Sequence, residues 1–245
     1  LEDLFVPGYF ELPIKKGETI IFAAGTNETK TISLKQRFTK ELKKRRERLI
    51  FANSLANASE QFIIHKNEST DVIAGFPWYN SISRQTFVAL PGLCMALNDT
   101  EIYCKVLKTY VEHLKNGFFP DYIDNKSKKE FSADTSLWFI WSVQQYFKLH
   151  QKPKDIWEHF GSAIKEILKA YKTSSLKYIG TNKDGLVYAK KENTALTWMN
   201  SSVDGIPVVQ RGGLPVEVNA LWFNAICFAL DLADMVGDEE FIAEW

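Results

Sequence analysis

Stretches of nearly uncharged residues at helical spacing alternate with two-faced ones along most of this chain, and few folds satisfy that pattern. Ser83–Leu97, Ala133–Phe147 and Val216–Val236 carry apolar residues almost all the way round, so each must be covered on most sides. Between them the pattern becomes amphipathic. Ile102, Val106, Tyr110 and Leu114 share one face of a helix over 101–116, and Ile156, Phe160, Ile164, Ile167 and Tyr171 share one face over 155–171. A loop rich in Trp, Tyr, Asp and Gly precedes each uncharged helix. A ring of helix hairpins, apolar helices inside and two-faced helices outside, produces this alternation and gathers the loops at one mouth. A plain antiparallel bundle has the same periodicity; the recurring loops favour the ring.

The N-terminal segment differs. Phe5–Phe10, Glu11–Ile14 and Thr19–Ala24 are short β-prone runs cut by Pro7, Gly8, Pro13, Gly17 and Gly25. Residues 1–32 are therefore expected to form a β hairpin or the end of a preceding β domain, and residues 33–245 the N-terminal part of a helical domain. The period becomes helical from about Ser33, with Phe38, Leu42, Leu49 and Ala52 set among Lys40, Lys43, Lys44, Arg45, Arg46 and Arg48. That basic run reads as a solvated helix face. The chain opens on Leu1 and closes on Phe241–Trp245 just after a turn, which suggests a piece of a longer protein.

Thirty basic residues balance thirty acidic ones. No net field favours a nucleic acid or an anionic membrane surface, so neither is expected as a partner. No stretch reaches the eighteen or so uninterrupted apolar residues of a membrane span. Cys94, Cys104 and Cys227 sit inside apolar patterns without metal spacing, which implies free thiols and a reducing, cytoplasmic setting. His65, His113, His150 and His159 are scattered, and no metal site is expected. Seven tryptophans are available both for the core and for stacking on sugar rings, and position must decide between the two.

Five segments taken in order resemble a known family: Ala74-Gly-Phe-Pro-Trp-Tyr, Arg84-Gln-Thr-Phe-Val-Ala-Leu-Pro-Gly-Leu93, Ala133-Asp-Thr-Ser-Leu-Trp138, Leu196-Thr-Trp-Met-Asn200 and Val216-Glu-Val-Asn-Ala-Leu-Trp-Phe-Asn-Ala225. They look like the successive signatures of the amylo-1,6-glucosidase domain of bacterial and archaeal glycogen debranching enzymes, across roughly residues 70–230. The resemblance implies a mainly α fold, part of an (α/α)6 toroid of the glucoamylase-like, six-hairpin glycosidase type, with a short N-terminal β segment. It also implies hydrolysis of α-1,6-linked glucose at the branch points of glycogen or starch, with inversion and no cofactor. The partner is then an α-glucan. About half the ring would be present, so exposed apolar helix faces would favour self-association.

An inverting glycosidase sets a protonated carboxyl and a carboxylate about 6.5–9.5 Å apart. By resemblance Glu217 is the first choice for proton donor. Asp134 stands at a helix start, where capping competes with a role toward sugar hydroxyls. Asp204, in an Asp-Gly turn, is a substitute for a carboxylate absent at 200. Trp78, Trp138, Trp198 and Trp222, with Arg84, Arg211, Asn200 and Asn219, are the candidate substrate-binding residues; Trp141 and Trp157 are assigned to packing. Two departures matter. The family pattern has Gly-Arg-Asp where this chain has Ser83-Arg84-Gln85, and commonly Trp-Met-Asp where it has Trp198-Met199-Asn200. An amide cannot transfer a proton as an acid does, so no catalytic role passes to 85 or 200. A toroid acting on another glycan, such as a trehalase-like or glucosidase-like enzyme, and a glucan-binding domain without turnover are the alternatives.

Overall fold

The structure, a computed structural model, describes residues 6, 8–25, 30–66, 69–76, 79–123 and 130–245. It is mainly helical. Helices α1 (Leu34–Lys44), α2 (Phe51–Glu60), α3 (Ser83–Leu97), α4 (Thr100–Val111), α5 (Thr135–His150), α6 (Pro153–Lys172), α7 (Val216–Val236) and α8 (Glu239–Glu244) alternate with three two-stranded antiparallel hairpins. These pair β1 (Ile63–Lys66) with β2 (Ser69–Val72), β3 (Ile179–Thr181) with β4 (Val187–Ala189), and β5 (Ser202–Val203) with β6 (Ile206–Pro207).

The helices form two rows. The apolar helices α3, α5 and α7 pack side by side, α3 on α5 and α5 on α7, while the two-faced α4 bridges α3 and α5 and α6 bridges α5 and α7. Tyr103, Val106, Leu107 and Tyr110 are the face α4 buries, and Ile156, Phe160, Ile164, Ile167 and Tyr171 that of α6. Aromatic rings fill the space between rows. Phe87 meets Tyr110, Phe119 and Phe139 edge-on at 4.8, 5.2 and 5.4 Å between centroids, contacts worth roughly 0.5–1.5 kcal/mol each beyond area burial. By length and composition α7 is apolar enough to cross a membrane. Here it packs on α5 and α6 and buries Val218, Trp222, Ala225, Phe228, Ala229, Leu232 and Ala233, as the core helix of a folded domain does.

Several elements differ from the sequence reading. The basic helix breaks at Arg45, whose backbone is extended at φ −80° and ψ 137°, so α1 and α2 are separate. Asn57 stabilises the break: its side chain accepts from Arg46 N at 3.0 Å and donates to Arg46 O at 2.8 Å. Like charges three and four residues apart also disfavour a continuous helix there. The loop before α3 opens with the end of β2, Asp71 and Val72 being paired to Ile64 and Ile63. The long connection between α6 and α7 contains β4, Val187–Ala189, paired with β3. Helix α4 ends at Val111, short of the expected 116, and Gly117 beyond it takes φ +78° and lies so close to α6 that a Cβ would sit 2.2 Å from that of Ala170. Residues 1–5, 7 and 26–29 of the expected β segment lie outside the described residues, and no strand forms in the rest of it. Lys15 to Glu18 make a turn there, Glu18 N donating to Lys15 O at 3.0 Å.

Candidate active site

The row of α3, α5 and α7 turns its helix starts toward one cleft. Arg84 is the second residue of α3, Asp134 immediately precedes α5 and Glu217 is the second residue of α7, and all three line a cleft of about 560 Å³. Unpaired amides and aligned peptide dipoles make such starts favourable for acidic side chains. Val88, Trp138, Trp141, Trp198, Ala220, Leu221 and Asn224 complete the wall. Flat rings and a few convergent polar groups therefore share this wall.

Asp134 is 1 % exposed and makes no cap hydrogen bond of its own. Its carboxylate accepts instead from Arg84, Nε to Oδ2 at 2.9 Å and Nη2 to Oδ1 at 3.0 Å. This two-point geometry is the strong form of the arginine–carboxylate pair. The guanidinium keeps donors beyond those two bonds, and Arg84 borders the cleft. The start of α5 is anchored from three sides. Ala133 N donates to Leu196 O at 2.7 Å, and Tyr171 Oη to Ala133 O at 2.7 Å. Asp121 accepts from Ser132 Oγ at 2.7 Å and Thr135 Oγ1 at 2.9 Å. Burial pushes the Asp121 carboxyl above the usual carboxylate range, partly offset by those hydroxyls and by Arg84.

Glu217 is held differently. Arg211 Nη2 donates to its Oε2 at 2.7 Å, and Arg211 Nη1 also contacts Met199 Sδ at 3.3 Å. Oε1 is buried and without a hydrogen-bond partner. A native fold rarely leaves such an atom unsatisfied.

Residues 57–244 match the family model described as amylo-alpha-1,6-glucosidase. The chain belongs to the amylo-alpha-1,6-glucosidase family. No curated protein matches it.

The structure sorts the residues that the sequence had grouped for this glucosidase domain. Arg84, Asp134, Trp138, Trp198 and Glu217 meet in the cleft, and Arg211 stands behind Glu217. Asn219 lies outside the cleft wall: its amide accepts from Val187 N at 2.7 Å and donates to Val187 O and Pro215 O at 3.0 Å each, stitching α7 to β4. Trp222 is also outside the cleft wall. It is 6 % exposed, stacks on Tyr171 at 5.5 Å and donates from Nε1 to Gly185 O at 3.1 Å. Asp204 occupies the exposed turn between β5 and β6, at φ +51°, outside the cleft wall. Asn200 lines a neighbouring cavity, and Gln85 a small apolar one beside Phe62 and Ala74. Trp78 lies outside the described residues. Trp141, assigned to packing, belongs to the cleft. It follows Trp138 by one helical turn, the two rings 5.3 Å apart and nearly perpendicular, and that spacing was the available signal. Trp157 packs on Phe241 as expected. Among the described residues no group of His, Cys, Asp or Glu is arranged to hold a metal ion.

Proposed function

We propose that this domain hydrolyses α-1,6-linked glucose at the branch points of glycogen or starch, with inversion, as part of an (α/α)6 toroid. The observation that carries the reading is Glu217, a carboxylate with one oxygen fastened by Arg211 and the other unpartnered, in a cleft walled by three tryptophans of a family named for this activity. The row of apolar helices with their starts at one mouth supports the toroid.

In this reaction Glu217, in its protonated form, is the proton donor. Its proton passes to the exocyclic oxygen as the bond from that oxygen to the anomeric carbon breaks. Water attacks the anomeric carbon from the opposite face, and a second carboxylate takes the water's proton. Arg84, oriented by Asp134, offers its remaining N–H groups to sugar hydroxyls, while Trp138, Trp141 and Trp198 cover the ring faces. The three free thiols, Cys94, Cys104 and Cys227, support a cytoplasmic setting.

A second reading, a glucan-binding domain without turnover, is favoured by Asp134 being bound by Arg84 and by the amides Gln85 and Asn200. Glucose release from a branched limit dextrin, compared between wild type and Glu217→Gln, separates the two. Release as the β-anomer, abolished in the variant, supports hydrolysis. Binding of dextrin without any release by the wild type selects the second reading.

A further inference from the structure

Two arginine–carboxylate pairs stand at the cleft, and they are built differently. Arg84 reaches Asp134 at two points, Nε to Oδ2 at 2.9 Å and Nη2 to Oδ1 at 3.0 Å, so both carboxylate oxygens are bound. Arg211 reaches Glu217 at one. Its Nη2 donates to Oε2 at 2.7 Å, while Oε1 is buried and has no hydrogen-bond partner among the described residues. A guanidinium presents paired donors that match the two oxygens of a carboxylate, and the two-point form is the stronger. The second donor of Arg211 must therefore be held off Oε1 by another contact.

That contact is Met199. Arg211 Nη1 is directed at Met199 Sδ, 3.3 Å away. The β5–β6 hairpin sets the approach: Ser202 pairs with Pro207 and Val203 with Ile206, and Val208 N donates to Ser201 O at 2.9 Å. Carried outward, the same register brings Met199 abreast of Gln210 and Arg211. The arm that carries Met199 is fixed to the start of α5, where Leu196 O accepts from Ala133 N at 2.7 Å. A thioether is an uncharged, weak acceptor. It occupies Nη1 without drawing the charge of the guanidinium away from Glu217, as a carboxylate in its place would. The other charged groups lining the cleft, Arg84 and Asp134, are bound to each other.

We infer that Met199 is a positioning residue: its thioether holds one end of Arg211 aside, so that Glu217 is fastened at one oxygen and keeps the other free to meet the glycosidic oxygen. This rests on the reading of Glu217 as the proton donor.

The test removes the acceptor and then restores it. Met199→Leu keeps most of the apolar volume and frees Nη1, whereas Met199→Gln puts a carbonyl oxygen back within reach. With Nη1 released, a two-point pair favours the charged carboxylate, which gives up its proton at lower pH. The Glu217 carboxyl is titrated by carbon-13 NMR in glutamate-labelled protein, its signal assigned by its loss in Glu217→Gln, and kcat for glucose release from limit dextrin is followed against pH. The expected result in Met199→Leu is a titration midpoint and an alkaline limb of kcat both about one pH unit lower, with KM little changed, and a return of both toward wild type in Met199→Gln. A midpoint that stays put in Met199→Leu, or that Met199→Gln fails to bring back, overturns the inference. A midpoint that moves and returns as expected, in a protein that releases no glucose or whose alkaline limb does not follow, leaves the hold of Met199 on Arg211 standing and defeats Glu217 as proton donor instead.

Discussion

Arg84 and Asp134, fifty residues apart in sequence, form a two-point ion pair in which the carboxylate is 1 % exposed. The pair fastens the start of α3 to the start of α5, and both border the cleft.

Removing one partner strands the other. Arg84→Ala leaves a buried, unpaired carboxylate and is expected to cost about 3–5 kcal/mol, read as a lower urea midpoint. Replacing both by apolar residues, Arg84→Met with Asp134→Leu, should restore most of that stability while leaving glucose release impaired. A double variant no more stable than Arg84→Ala would show that the pair contributes more than mutual neutralisation.

Glu217→Gln keeps the shape of the side chain and its contact with Arg211 and removes the transferable proton. Turnover on limit dextrin is expected to fall by at least roughly 10²–10⁴-fold with little change in melting temperature. Undiminished turnover would remove Glu217 from the mechanism.

Asp121 predicts a pH signature. Burial raises its folded pKa above the ordinary 3.8, so between that value and the raised one the folded state holds more of a proton than the unfolded state. Stability from this group therefore falls as pH rises through the window and is lost above it, with a slope of at most about 1.4 kcal/mol per pH unit. Denaturation of wild type and Asp121→Asn across that window should show the difference in stability shifting toward the variant as pH rises. Parallel curves would mean the carboxyl does not titrate in this way.

Two tryptophans should separate cleanly. Trp222→Ala deletes a stacked, 6 % exposed ring and is expected to cost about 3–5 kcal/mol of stability. Trp198 is 52 % exposed, so Trp198→Ala should barely move the unfolding midpoint but raise KM for dextrin about tenfold, ~1.4 kcal/mol. Equal loss of stability in both would place Trp198 in the core.

The alternation of apolar and two-faced helices was legible in the residues of α3 to α7, because burial on one side or on all sides imposes a period that sequence displays directly. So were the loop Trp198 and Glu217 at the start of α7, carried by motifs contiguous in the chain. What tertiary structure alone decided is partnership. Asn219 and Glu217 stand two residues apart on one helix, yet one is bound to the β4 backbone and the other faces a cleft, and Trp222 and Trp141 exchange the roles their local patterns suggested. A helix residue's direction follows from its spacing, but whether a core, a strand edge or an open cleft meets it depends on residues distant in the chain, as Arg84 and Asp134 are.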